Sequence, residues 1–274
     1  MKTIGAMALA AAGLITVTGS FGMPMGSSLD STPVAQQAQD WEWQGSVARG
    51  DAIEIKGING GIKASGTSGS QVSVTALKKG RHDDPSEVTI EVVEHSGGVT
   101  ICAVYPDVKG KKNECAPGDQ GHLSSRDNDV SVQFTVQVPA GVKLVASTVN
   151  GDIEAGGLQA AARATTVNGD VKLSTSGEAR ATTVNGSIQA SMGSADWNGT
   201  LSFNTVNGNI TVSLPEGVST DVSAATVNGS MNTDFPLTIK GQFSTKSMHG
   251  TIGSGGRDLA LETVNGSIHL KNGS

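Results

Sequence analysis

Hydrophobic and polar residues alternate along much of the chain in short stretches with a period of two residues. The clearest stretch covers residues 130–138, where Val, Phe and Val alternate with polar residues. Shorter apolar stretches occur at residues 53–55, 72–76, 88–93 and 99–103. A period of two is typical of β-strands that bury one face, and no useful helical period occurs in the later repeats. The pattern therefore predicts an all-β protein.

A repeated hexad, Thr-Val-Asn-Gly-x-Ile/Val, organises the second half of the chain. Residues 247–252 form a degenerate copy, and residues 58–62, Ile-Asn-Gly-Gly-Ile, are an early relative. Six copies begin at Thr148, Thr166, Thr183, Thr205, Thr226 and Thr263, with Met231 in the last place of one of them. Successive asparagine positions lie 16 to 22 residues apart, which leaves room for two short strands and two turns. Such recurrence indicates a repeat architecture.

The hexads fit two β architectures. In an antiparallel meander, each Asn-Gly would be a hairpin turn, and equivalent turns would lie about 10 Å apart. In a β-solenoid, equivalent residues stack at about 4.8 Å, so asparagine amides can hydrogen-bond from coil to coil. Identical residues benefit only from the closer stacking, so the sequence favours a solenoid of about seven coils preceded by an irregular β region. The predicted structural ladder comprises Asn150, Asn168, Asn185, Asn207, Asn228 and Asn265, with His249 in the degenerate copy.

Two details concern the corner of each coil. Glycine after the asparagine is expected to supply a positive φ. Val167 and Val171 share one strand parity, whereas Ala164 and Thr166 share the other, so strict alternation cannot bury both pairs. A bulge or bend at the corner would reconcile them, although the pattern does not fix its position.

The chain divides into an export signal, a leader and one β domain. Residues 1–20 combine Lys2, an uncharged stretch and small residues, which predicts a signal peptide. A membrane anchor is the alternative, but no stop-transfer charges follow, so no stable membrane span is expected after cleavage. Residues 21–40 are predicted to be a flexible leader, residues 41–146 an N-terminal β region with a disulfide loop, and residues 147–274 the repeats, continuous with it. The expected location is the periplasm, the cell surface or the extracellular space.

The cysteine count agrees with export. The chain has two cysteines, Cys102 and Cys115. An even count in an exported protein favours a disulfide. The alternative is a reactive or metal-binding thiol pair, but no Cys-x-x-Cys motif or neighbouring histidine supports it.

Composition narrows the function further. The net charge of −6 and a pI near 5.3 argue against nucleic acid, which requires a basic surface. Asp152 and Asp170 would be neighbours in successive coils and could form a carboxylate pair or a Ca²⁺ site, but small polar corner residues are the simpler interpretation. The five histidines are scattered, and no catalytic motif is present. We therefore expect no enzyme activity, no cofactor and no metal.

The order of three segments and the hexads resembles a known family. The segments are residues 53–62, 71–76 and 134–139. Over roughly residues 41–271, this order resembles the bacterial putative-adhesin domains of unknown function, which are β-solenoid proteins on or near cell envelopes. The resemblance implies an envelope protein and brings no catalytic residues.

We accordingly expect a non-catalytic exported protein of the envelope or cell surface that acts as an adhesin or scaffold. Its partner would be a protein or glycan of the envelope. One alternative is a periplasmic accessory protein in envelope-stress signalling, and a carbohydrate-active β-helix enzyme ranks third. The C-terminal coil ends at residues 271–274 without an evident cap. Its open edge is therefore expected to permit self-association.

Overall fold

The computed structural model describes residues 37–239 and 246–273, which belong to one compact unit. The predicted signal peptide and most of the leader lie outside the described residues. The leader was expected to reach residue 40, but residues 37–40 pair as part of the first strand. Within the described residues, no helix has the length and apolar character needed to cross a membrane.

The regular secondary structure of the described residues is all β, as the alternation predicts, apart from one short 3-10 helix at Pro85–Glu87. The strands in chain order are β1 Gln37–Gly45, β2 Ala52–Lys56, β3 Ile62–Thr67, β4 Val72–Gly80, β5 Thr89–His95, β6 Gly98–Val104, β7 Ser131–Pro139, β8 Lys143–Ser147, β9 Ile153–Leu158, β10 Ala162–Thr165, β11 Val171–Thr175, β12 Ala179–Thr182, β13 Ile188–Met192, β14 Thr200–Asn204, β15 Ile210–Pro215, β16 Thr220–Asn228, β17 Met231–Thr233, β18 Thr238–Ile239, β19 Ser247–Ile252, β20 Asp258–Asn265 and β21 Ile268–Gly273.

These strands form two sheets that enclose one apolar core. Sheet A has the order β1-β4-β7-β3-β9-β11-β13-β15-β21-β17, and sheet B has the order β18-β19-β16-β20-β14-β12-β10-β8-β2-β6-β5. Each coil contributes one strand to sheet B, turns through a hexad, and then contributes one strand to sheet A. Successive coils pair in parallel, which confirms the solenoid and excludes the meander.

Residues of the same type face one another along the solenoid. Ala162 and Ala164 of β10 lie opposite Ala179 and Ala181 of β12, and Val171 of β11 lies opposite Ile188. All these side chains are buried. The core is therefore a series of stacked apolar columns, which explains why so few aromatic residues suffice to fill it.

The order of coils in space differs from their order in the chain at both ends. From one end to the other, the coils are β6/β7, β2/β3, β8/β9, β10/β11, β12/β13, β14/β15, β20/β21 and β16/β17. The coil that contains the C-terminus, β20/β21, thus lies between two other coils. The expectation of an open end at the C-terminal coil is therefore wrong, since β16/β17 is the terminal coil.

The degenerate hexad is not a coil of the solenoid. Strand β19 runs antiparallel to β16 and pairs His249 with Ser223. His249 is exposed and is not a member of the asparagine column. The first member is instead Asn59 of the early relative, which bridges to Asn150 in parallel. The predicted number of about seven repeats was therefore correct, but the repeat at His249 was wrongly included.

The corner resolves the conflict of strand parity. Ala164 and Thr166 are buried, Val167 is exposed, and Val171 is buried again. The chain bends between Thr166 and Val171, so the inward parity changes from even to odd positions there. Both strands of the coil consequently bury their apolar residues.

The hexad glycine allows close packing of neighbouring coils and, except in the early copy, does not adopt the expected positive φ. Among the hexad-type glycines only Gly60, in the early copy, has a positive φ, of 116°. A Cβ placed on Gly186 would lie 1.9 Å from the carbonyl oxygen of Gly169, and the equivalent distance is 2.2 Å or less in the other hexads. Glycine is therefore needed because the backbone of each corner touches the corner before it.

Antiparallel strands and a clipped loop close the N-terminal end of the solenoid. Strand β1 pairs with β4, and β5 pairs with β6. Cys102 of β6 forms a disulfide with Cys115 in the loop that follows. Glu54 accepts hydrogen bonds from the Thr100 hydroxyl and the Gly118 N–H, at 2.7 and 3.0 Å. The loop is thus held to sheet B by one covalent bond and by a buried carboxylate.

Substitution of Gly186 by alanine should destabilise the fold, because the new Cβ would overlap the Gly169 carbonyl. We expect a loss of about 3 kcal/mol in the free energy of unfolding, measured by denaturant titration. Gly156 is the matched control, since a Cβ there has no neighbour within 4 Å. Gly156→Ala should change stability by less than about 1 kcal/mol. Equal effects of the two substitutions would contradict the packing argument.

Removal of the disulfide should lower stability by about 3 kcal/mol, because the bond closes a short loop in the unfolded chain. The cysteines are 13 residues apart in sequence. The test is the denaturation midpoint of the double variant Cys102→Ala/Cys115→Ala. Chemically reduced parent protein serves as control and should show the same loss. A double variant as stable as the oxidised parent would refute the prediction.

Candidate functional site

The hexad corner is the most regular surface of the molecule, and its threonine column is buried. Each threonine hydroxyl donates to the carbonyl oxygen of a glycine in the neighbouring coil. The bonds are 2.8–3.0 Å long and join Thr148 to Gly60, Thr166 to Gly151, Thr183 to Gly169, Thr205 to Gly186, Thr263 to Gly208 and Thr226 to Gly266. The threonines therefore tie each coil to the one before it.

The asparagines form the predicted ladder, with Asn59 as an additional member. Each side-chain Nδ2 donates to the Oδ1 of the preceding asparagine over 2.7–2.9 Å. In space the order is Asn59, Asn150, Asn168, Asn185, Asn207, Asn265 and Asn228. All the Nδ2 donors point in the same direction along the solenoid, so each interior amide donates to one neighbouring asparagine and accepts from the other. Asn59 is half-buried, and the other six side chains remain exposed at the surface.

The residues that follow the hexad glycines form a second polar ladder. This ladder gives Asp152 and Asp170 a structural role. Asp152 Oδ1 accepts the backbone N–H of Asp170 at 2.8 Å, and Asp170 Oδ1 accepts that of Ser187 at 2.7 Å. Later coils continue the pattern with Ser187, Asn209 and Ser267 as acceptors. In the described part of the chain, no group of three or more His, Cys, Asp or Glu side chains could hold a metal ion. The two aspartates cap backbone donors.

The hexad valines point outward and form what we call the valine stripe. Its members, in spatial order, are Val149, Val167, Val184, Val206, Val264 and Val227. Val184 is half-buried, and the exposed fractions of the others range from 36% in Val149 to 56% in Val227. At one coil per 4.8 Å, the stripe is about 24 Å long. The described residues contain no other exposed large hydrophobic side chains.

The flanks of the valine stripe carry few charges. The asparagine ladder lies along one side. Along the other side lies the residue that precedes each hexad threonine, and in this row only Glu262 is charged: Ser147, Thr165, Thr182, Asn204, Glu262 and Ala225. Depletion of charge around exposed apolar residues is characteristic of the centre of protein–protein interfaces. The corner is therefore the candidate contact surface.

The outer face of sheet A carries a shallow groove of about 430 Å³. Its floor consists of small residues such as Ser65, Gly156 and Ser191. Lys63 and Glu154 stand beside it as an exposed ion pair, with 3.7 Å between Nζ and Oε2. Glu154 is the groove's single carboxylate. Glycoside hydrolysis uses two carboxyl groups, so this groove lacks the groups for that chemistry.

The tryptophans do not offer a platform for sugars. Trp197 is buried, and its indole N–H donates to the Asp258 carbonyl oxygen at 3.2 Å. Trp41 and Trp43 are half-buried and pack against the core from strand β1. Their role in the described structure is to close the end of the solenoid.

The histidines are dispersed, as their sequence spacing suggested. His82 Nδ1 lies 2.8 Å from Asp129 Oδ2, and the backbone N–H groups of residues 81–83 donate to the same carboxylate. The hydrogen bond from His82 contributes most to lowering the pKa of Asp129, to about 2. His269 Nε2 lies 3.1 Å from Asp234 Oδ1 near the other end of the solenoid. These are separate exposed pairs that fix turns.

The sequence missed the exposure of the valines. The sequence pattern left open whether the valines or the small residues Ala164 and Thr166 face outward. The usable signal was the parity conflict between Thr166 and the two valines Val167 and Val171: if Thr166 faces the core, Val167 faces outward, and Val171 is buried only because the chain bends between them. Only the position of the bend decides which of them is exposed.

Comparison with known proteins identifies relatives of the fold. The profile of a family described as Toastrack DUF4097 matches residues 27–271. No curated protein sequence matches the chain. A putative cell adhesion protein from Clostridium sporogenes is 11% identical, with a TM-score of 0.50, over 86% of this chain and all of that one. At this identity the likeness concerns the fold alone.

Two further solved structures are more distant. A putative adhesin from Bacteroides fragilis is 10% identical over 85% of this chain and 97% of its own, with a TM-score of 0.29. A putative adhesin from Parabacteroides distasonis is 14% identical over the same shares, with a TM-score of 0.23. Scores this low carry no structural argument.

Loss of one threonine hydroxyl should measurably lower the free energy of unfolding. Thr183→Val leaves the Gly169 carbonyl without its side-chain donor, and we expect a loss of about 1–2 kcal/mol. Thr182→Val, one residue earlier and half-exposed on sheet B, is the matched control and should stay within about 0.5 kcal/mol of the parent. Denaturant unfolding measures both. An unchanged Thr183→Val variant would show that the hydroxyl column contributes nothing.

Proposed function

The chain belongs to the Toastrack DUF4097 family, and on this basis we propose that it is a non-catalytic exported protein of the cell envelope or cell surface. In this proposal the chain acts as an adhesin-like or scaffolding module. It holds its partner at the hexad corner, through the valine stripe and the asparagine ladder beside it.

The valine stripe is the observation that carries this proposal. The threonine, asparagine and glycine of the hexad, together with the two residues after the glycine, each serve the contact between coils or the core. The hexad valine is an apolar side chain that the fold leaves at the surface, and it recurs in six coils. Exposed apolar residues in a continuous row favour binding to another molecule.

The chemistry of the stripe favours a protein partner over a glycan. Its side chains are aliphatic, and the described tryptophans pack against the core. Sugar rings are typically held by exposed aromatic faces and by dense polar groups, whereas aliphatic rows with few charges on their flanks suit protein surfaces. The stripe's length of about 24 Å suits an extended segment or a second flat face.

The disulfide supports the proposed export of the chain. Cys102 and Cys115 are joined, and such bonds persist in oxidising compartments. A periplasmic accessory protein of envelope-stress signalling would share this feature, so the two roles differ by location. An enzyme acting on carbohydrate has less support, because Asp152 and Asp170 are occupied by backbone N–H groups.

Site-specific photocrosslinking in the native host tests the contact surface. A photoreactive residue is introduced at Val167 or Val206, and in a control at Gln189, which is exposed in the groove of sheet A. We expect a discrete protein adduct from the two stripe positions and none from Gln189. Adducts from Gln189 instead, or none from the stripe, would overturn the choice of surface.

Binding of the captured partner then gives a quantitative test. Val167→Thr/Val206→Thr keeps the β-branched shape and adds two hydroxyl groups, and we expect the affinity to fall about tenfold. Val145→Thr, a half-exposed valine on the outer face of sheet B, is the matched control and should bind as the parent does.

Fractionation and protease treatment of intact cells separate the alternatives for location. Loss of the mature chain on treatment supports a surface adhesin. Protection within the periplasmic fraction supports the accessory role and contradicts surface adhesion. Recovery in the cytoplasm with the cysteines reduced would contradict export itself.

A further inference from the structure

We propose that Asn228 is a site of spontaneous deamidation, at which the end coil of the solenoid is chemically modified while the rest of the ladder is protected. The seven ladder asparagines are all followed by glycine. They therefore share the same local sequence and differ in the hydrogen bonds that the solenoid imposes. This inference is independent of the proposed function.

Deamidation of an Asn-Gly pair begins with the glycine backbone nitrogen. That nitrogen attacks the asparagine Cγ, a C–N bond forms, and the side-chain nitrogen leaves as ammonia, which takes up the proton of the attacking N–H. Water then opens the resulting succinimide ring to aspartate or isoaspartate. Glycine offers the least steric hindrance and the freest backbone, and asparagine is for such reasons a thermolabile residue. The reaction requires a glycine N–H that is free and a backbone that can bend.

Six ladder glycines do not meet this requirement. Their N–H groups donate to the asparagine carbonyl of the next coil over 2.8–3.0 Å. The pairs are Gly60 to Asn150, Gly151 to Asn168, Gly169 to Asn185, Gly186 to Asn207, Gly208 to Asn265 and Gly266 to Asn228. Attack would break this bond and the side-chain rung together. The coils on either side hold the backbone in place as well.

Asn228 is the exception because its coil is the terminal one. In the described structure the Gly229 N–H has no acceptor, since no coil follows to offer an asparagine carbonyl. The Asn228 side chain makes one rung, donating to Asn265 Oδ1 at 2.8 Å. Strand β17, which follows, has only three residues and lies at the edge of sheet A. The nucleophile is therefore free, whereas the other six ladder glycines donate to a neighbouring coil.

The product would disrupt one interface of the solenoid. A carboxylate at position 228 has no N–H to give to Asn265 and places negative oxygen against its Oδ1. Isoaspartate also lengthens the backbone by one carbon atom, which is incompatible with the parallel register of Asn228 and Asn265. Modification would consequently loosen the coil β16/β17 from β20/β21, the interface that also contains the Gly266 bond to Asn228, and the five glycine N–H bonds at the other interfaces would remain.

Incubation of the folded mature protein at mildly alkaline pH, followed by peptide mapping with mass spectrometry, tests the proposal. We expect Asn228 to convert at least about tenfold faster than each of the six other ladder asparagines, because those react only after local opening. Faster conversion of an interior asparagine such as Asn185, or equal rates for all seven, would overturn the proposal.

Two controls assign the difference to the fold. In denaturant, the seven sites should react at similar rates, and a persistent excess at Asn228 would show that local sequence and not the terminal coil is responsible. The variant Asn228→Gln keeps the amide but would need a less favourable six-membered ring. It should stop the reaction at position 228 and leave the other rates unchanged.

Discussion

The close approach of successive Asn-Gly corners is the constraint on which the rest of the structure depends. Each hexad glycine leaves no room for a Cβ against the carbonyl before it. With the backbones this close, the threonine hydroxyl, the asparagine amide and the residue after glycine all reach partners one coil away. A side chain at Gly186 would separate all three ladders at once. The glycine therefore fixes both the spacing and the register of the coils.

Neither end of the solenoid is formed by the first or the last coil in the sequence. The first coil in sequence, β2/β3, and the last, β20/β21, each lie one place inside the stack. A coil between two neighbours has its strands paired on both edges, so β21 is held on both sides, whereas β1 is the edge strand of sheet A. The terminal coils are instead backed by antiparallel strands, β4 and β5 at one end and β19 at the other.

The same ladders that stabilise the corner also shape its surface chemistry. The amides and carboxylates of the corner are hydrogen-bonded to neighbouring coils. The corner also presents the aliphatic row of valines, whose flanks carry few charges. Repetition makes it long without adding complexity to the fold.

The sequence by itself determined the all-β class, the solenoid, the pairing of Cys102 with Cys115 and six of the seven ladder asparagines. The class follows from the alternation of apolar and polar residues and the disulfide from the even cysteine count. The solenoid and its ladder follow from local repetition, because identical residues at regular spacing must stack if they are to interact. Tertiary structure alone decided the order of the coils, the place of His249 in a hairpin and the outward direction of the valines. Repeats specify the contact between adjacent coils, but nearly identical coils do not specify which of them is adjacent. The bend at the corner is set by packing between two sheets, which no single strand encodes.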